Sequence, residues 1–214
     1  MSKQLQAIIN GQGEPCPAVP GSEITISLGD CELFLQEFCG LQIGISQFYQ
    51  PQKPEGFFWP VPCAAALSYD RLADVVRVQQ LPHYPQTLRF LLQQVDRSFD
   101  CRRPEEDGNY LLWTPAGIEA NQACPELRAK SFRELWQMKE EVLSCREALI
   151  LYLLIFWKTK GQAFLDSKGL TRTGSRDVDN RGVCVLSNAY GLRICWEYPD
   201  NADPNGGARF AVPS

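Results

Sequence analysis

Histidine is almost missing from this chain of 214 residues: His83, inside Leu81-Pro82-His83-Tyr84-Pro85, is the only one. Histidine-rich metal sites are excluded on that ground, and any Ser/His or Cys/His nucleophilic mechanism must pass through one proline-bracketed side chain. Paired CxxC motifs are also missing, as are the GxxxxGK[ST] phosphate loop, the GxGxxG fingerprint and the GxSxG nucleophile elbow. No nucleotide, flavin or metal cofactor is indicated. No excess of positive charge is present either, with 21 Lys and Arg against 25 Asp and Glu, a net charge of -4 and a pI near 5.2. Attraction to nucleic acid or to an anionic membrane surface must therefore be local rather than global.

Long apolar runs are lacking too. The longest, Ala148 to Trp157, has ten residues, whereas a membrane-spanning helix needs about 20. The apolar stretch near Met1 is too short for the core of a secretory signal, so the expectation is a cytoplasmic protein with no membrane partner. No unit of solenoid or propeller length repeats.

Cysteine, by contrast, is abundant. Nine are present, at 16, 31, 39, 63, 101, 124, 145, 184 and 195, an odd and irregularly spaced set that reads as free thiols in a reducing compartment rather than a disulfide framework or a zinc ribbon. Hydrophobic residues make up 44% of the chain, enough for a sizeable core.

Along the chain, residues 11–22 hold three glycines and three prolines and read as an irregular arm. Alternation of Ile24, Ile26 and Leu28 with polar residues predicts a half-buried strand over 23–28, ended by Gly29-Asp30. Prolines at 51, 54, 60 and 62 rule out helix and central strand, leaving a rigid loop that carries Phe57, Phe58 and Trp59, either tucked into the core or presented to a partner. Leu88, Leu91, Leu92, Val95 and Phe99 predict a helix over 85–99 with one buried face. The polar stretch 102–109 marks the only lobe boundary in what is otherwise read as a single domain.

Ser131-Phe132-Arg133-Glu134 is a capping box. A long helix is predicted from it to about Lys160, closed by Gly161, amphipathic in its first half and apolar all round over Leu149 to Trp157. That apolar stretch is either the axis of the core or an oligomer seam. At the C-terminus, Gly182 to Ser187 and Leu192 to Tyr198 flank Asn188-Ala189-Tyr190-Gly191, which predicts a hairpin with a four-residue loop. Pairing Ser187 with Leu192 sets Val185 against Ile194, Val183 against Trp196, and Cys184 against Cys195, the last a candidate redox pair. The fold class that follows is α+β.

Two acidic loops fall short of the calcium-loop pattern, since Arg181 and Asn188 interrupt the one at Asp177 and Val212 the one at Asn201. Residues 158–181 hold six basic side chains against three acidic ones, a local charge of +3, and Lys168, Arg172, Arg176 and Arg181 are candidate contacts for a polyanion. A metal-dependent hydrolase built from Asp177, Asp179 and Glu197, with Lys168, is a further alternative. The function expected first is non-enzymatic binding or assembly through a protein partner or self-association. Nucleic-acid binding is the second reading.

Overall fold

A computed structural model describes residues 24–96, 108–138 and 142–212. Its fold is α+β, with six α-helices and two sheets among the described residues. The helices are α1 (Leu28–Leu33), α2 (Tyr69–Val78), α3 (Thr87–Gln93), α4 (Ala120–Ala123), α5 (Phe132–Met138) and α6 (Cys145–Lys158). β1 (Phe58–Cys63) and β2 (Tyr110–Pro115) form one antiparallel sheet. β3 (Leu170–Arg176), β4 (Gly182–Asn188), β5 (Gly191–Glu197) and β6 (Gly206–Ala208) form the other, in the order β5-β4-β3-β6, with only β3 and β6 parallel. The described helices include none long and apolar enough to cross a membrane.

The apolar stretch of α6 is core rather than seam: every residue from Glu147 to Ile155 is buried, and β1, β3, β4 and α2 pack round it. A helix apolar on all faces must be covered on all faces, and this chain covers it alone. The single long helix expected over 131–160 is, however, two. The Ser131–Glu134 capping box forms, with Ser131 N–H donating to Glu134 Oε2 at 2.8 Å, but α5 ends at Met138. At Val142 the chain is not helical but bridges to Phe210. A second capping box starts α6: Ser144 N–H donates to Glu147 Oε2 at 2.7 Å, and Glu147 N–H donates back to Ser144 Oγ at 3.2 Å. Gly161 closes the helix as expected, at φ 76°.

Three further expectations are corrected. The strand over 23–28 does not form: Ile24 and Ile26 are buried in alternation, but the segment is unladdered, and Ser27 with Asp30 caps α1 instead. The prolines do not exclude a strand over Phe58–Cys63. Trp113 exchanges hydrogen bonds with Val212, and Leu111 N–H donates to Tyr49, so these residues turn their backbone groups away from β1. Their register partners Pro60 and Pro62 therefore sit where no N–H is asked of them. The helix expected over 85–99 is shorter, because Val95 leaves it to bridge Asp177; Phe99 lies outside the described residues, as do Cys16, Cys101, the 11–22 arm and most of 102–109.

The hairpin register is as predicted at all four pairs, and Asn188 also pairs with Gly191, which shortens the loop to Ala189-Tyr190. Gly191 takes φ 96°, and any Cβ there would collide with the Pro82 carbonyl.

Because the Ser144 box is fully buried and Glu147 also accepts from Tyr110, Ser144→Ala is expected to lower stability by about 2 kcal/mol. Ser131→Ala, at a less buried helix start, is expected to lower it by less. Urea unfolding of both variants measures the difference, and equal losses would contradict the ranking.

Candidate functional site

The sheet β5-β4-β3-β6 has two unlike faces. Val183, Val185 and Ile194 point to the core, with α6 packed against β3 and β4. The opposite face carries Arg172, Cys184, Arg193, Cys195 and Glu197, since Arg172 pairs with Cys184 and Cys184 with Cys195 across neighbouring strands. α5 lies over part of this second face. Gly182 makes that approach feasible, because a Cβ there would overlap the Phe132 ring.

Arg172 is the anchor of the second face. Its side chain is 0% exposed and its Nε donates to Glu197 Oε2 at 3.1 Å. Nη1 donates to the Lys130 and Asp203 carbonyls, both at 3.3 Å, and the guanidinium stands 5.8 Å over the Phe132 ring. The basic segment 158–181 includes β3, an inner strand that carries Arg172 and Arg176. Arg176 stacks 4.0 Å over Trp136 and donates to Asn180 Oδ1. Arg181 donates to Asp177 and Asp179 and lies 3.8 Å over the Trp196 ring. Lys158 is paired with Asp30 at 2.7 Å. Of the four basic candidates, only the exposed Lys168 is held by its backbone alone, its N–H donating to Glu119. The acidic alternative is similarly engaged, Asp177 being buried against Arg181, and the described residues bring together no group of three or more His, Cys, Asp or Glu side chains able to hold a metal.

Beside Arg172, the two thiols of Cys184 and Cys195 stand 3.2 Å apart. Cys184 is buried and Cys195 half-buried. The hydrogen bond to Cys195, reinforced by burial, pushes the Cys184 thiol well above its ordinary range. The same hydrogen bond draws Cys195 below it, and Arg193 adds to the lowering by charge and by a hydrogen bond. Arg193 itself sits 5.1 Å over the Tyr84 ring, which fixes it at the rim.

The exposed aromatics near this face lie at the far end of β5. Trp196 and Tyr198 meet edge-on at 5.3 Å, and they are 36% and 68% exposed. Arg133 and Asp200 form an exposed pair at 2.7 Å. The Phe57-Phe58-Trp59 cluster is split: Trp59 is buried and donates through Nε1 to the Ile24 carbonyl, Phe58 is half-buried, and only Phe57 is well exposed. His83 is half-buried and its Nδ1 lies 2.8 Å from the Leu81 carbonyl. Trp196 was legible in the sequence as a strand residue, but its exposure was not, because it belongs to the core-facing set of β5 and runs past the end of the core.

No protein-family model, curated protein or solved structure matches this chain.

Removing the guanidinium of Arg172 takes the donor from Glu197 Oε2 and from the Lys130 carbonyl and leaves the Arg172 site on the sheet empty, so Arg172→Met is expected to destabilise the fold by about 3 kcal/mol. Arg181→Met breaks a partly exposed cluster and is expected to cost about 1 kcal/mol. Denaturant midpoints of the two variants separate these outcomes, and a shift for Arg172→Met no larger than for Arg181→Met would show that Arg172 is not the anchor.

Proposed function

We propose that this chain is a non-enzymatic, cytoplasmic protein that acts by self-association, and that its contact surface is the Arg181–Trp196–Tyr198 strip at the end of β5. The observation that carries the reading is the clamp on Trp196. Asp177 and Asp179 hold the Arg181 guanidinium 3.8 Å above the indole, so the ring is ordered before any partner arrives. Ordered Trp, Tyr and Arg side chains lose little entropy on docking and are the residue types that dominate binding energy at interfaces. Val178, between the two aspartates that hold Arg181, is exposed as well.

Self-association is favoured over a foreign partner by the charge pattern around the strip. Both signs are present at its margin, Arg133 beside Asp200 and Arg181 beside Asp179. A two-fold axis that passes between the opposite charges of such a patch sets each against its opposite in the second copy, which is the self-complementarity an isologous interface needs. Polyanion binding has less support, because Arg172, Arg176 and Arg181 are all turned to internal partners. The seven described cysteines are all free thiols, in keeping with a reducing compartment.

Sedimentation velocity over a concentration series tests the proposal. A dimer is expected for the wild type and a shift to monomer for the Trp196→Ala/Tyr198→Ala double variant. A wild type that stays monomeric at the highest concentration reached would remove the reading.

A further inference from the structure

Six of the seven described cysteines are buried, and Cys195 alone reaches solvent. It is also the one that has a second thiol directly across the ladder. Leu192 N–H donates to the Pro82 carbonyl and the Leu192 carbonyl accepts from Tyr84 N–H, so Leu192 turns its backbone groups away from β4. Counting by the strand period of two, Cys195 turns its own inward, and Cys184 and Cys195 form a hydrogen-bonded antiparallel pair. Cα atoms of such pairs lie about 5.5 Å apart, inside the span a disulfide bridges. The sulfurs at 3.2 Å need to close by about 1 Å, within reach of side-chain rotation. Cys195 is the half-buried member of the pair and Cys184 the buried one, so a disulfide arriving from solvent meets Cys195 first.

We infer that Cys195 and Cys184 form a dithiol–disulfide site for low-molecular-weight disulfides such as glutathione disulfide, with Cys195 as the attacking thiol and Cys184 as the resolving one. The Cys195 thiolate attacks one sulfur of the disulfide, a mixed disulfide forms on Cys195, and the first small thiolate leaves and takes up a proton. Cys184 then gives up its proton and attacks Cys195 Sγ, the mixed disulfide breaks, and the second small thiolate leaves with a proton. Two protein thiols are oxidised by two electrons and one small disulfide is reduced to two thiols.

The surroundings suit the order of events. Arg193 stabilises negative charge on Cys195 before attack, and the hydrogen bond that keeps Cys184 protonated loses its thiolate acceptor once Cys195 is blocked. Three other described thiols are poor competitors: burial pushes Cys39 up to about 12, and raises Cys31 and Cys124 as well. The site is independent of the contact surface proposed above.

The reduced full-length protein is incubated with glutathione disulfide near neutral pH, quenched in acid, alkylated and mapped by mass spectrometry. A peptide linking Cys184 to Cys195 is expected, with no lasting adduct on Cys195. Cys184→Ala is expected to stop at a stable glutathione adduct on Cys195, and Arg193→Gln to form the linked product several-fold more slowly, with the gap closing at alkaline pH. The wild-type map decides the matter even if a variant fails to fold. A persistent adduct on Cys195, a link from Cys195 to Cys16 or Cys101, or two unchanged cysteines would each overturn the inference.

Discussion

The buried pair of Asp166 and Arg209 is the constraint on which the C-terminal half of the fold depends. Both side chains are sealed from solvent, with Arg209 Nη2 at 3.4 Å from Asp166 Oδ1. Arg209 also donates to the Gly117 and Ile118 carbonyls and to Thr171 Oγ1. Asp166 accepts from Thr171 Oγ1 and from Ala120 N–H at the start of α4, and its own carbonyl accepts from Ser187 N–H. Four segments, the 117–120 turn, the Asp166 loop, β3 and the chain after β6, are thus tied at one point. Buried charge is tolerated only where its partners are this complete, so each of the four is held in place by the others.

Downstream of that knot, the sheet acquires its two faces. β6 pairs in parallel with β3, and just beyond it the Arg209 carbonyl accepts from Leu143 N–H, a contact that delivers the chain to Ser144 and the start of α6. The core face is then covered by the apolar stretch of α6, whereas the other face receives only the shorter α5. A two-turn helix cannot cover a four-stranded sheet, and what it leaves at the edge is the β5 row of Arg193, Cys195 and Glu197. The half-burial of Cys195 therefore follows from the lengths of α5 and α6.

How much of this was legible in the sequence depended on the range of the interaction. The hairpin register could be read because alternation along two adjoining strands and a short turn fix it locally, and the Ser131–Glu134 box is likewise local. Ser144-Cys145-Arg146-Glu147 carries the same pattern and marks the true start of α6; it was concealed by the uninterrupted helical periodicity on both sides. Ile24 and Ile26 alternate in burial as a strand would, yet a strand needs a neighbour, and the capping preference of Ser27 and Asp30 prevailed. Pro60 and Pro62 were read as strand breakers because their two-residue spacing, which puts both on the side of β1 away from β2, has meaning only once the partner strand is known.

The basic segment shows where charge counting fails. Lys, Arg and Gly in sequence order suggest a solvated loop, but charge alone does not distinguish a guanidinium that waits for a ligand from one that serves the fold. Arg172 is interior because strand alternation from Thr171 and Thr173, which face the core side, turns it to the α5 side, where Glu197 and two backbone carbonyls already converge. Arginine suits that position as lysine would not, since its planar head reaches a carboxylate and two carbonyls at once while lying against Phe132. Arg181 and Arg176 repeat the arrangement at the sheet's end, each pressed on a tryptophan. The local +3 of residues 158–181 is thus spent largely inward, and what the surface gains from it is order: an indole held flat under a guanidinium, and a thiol held beside one.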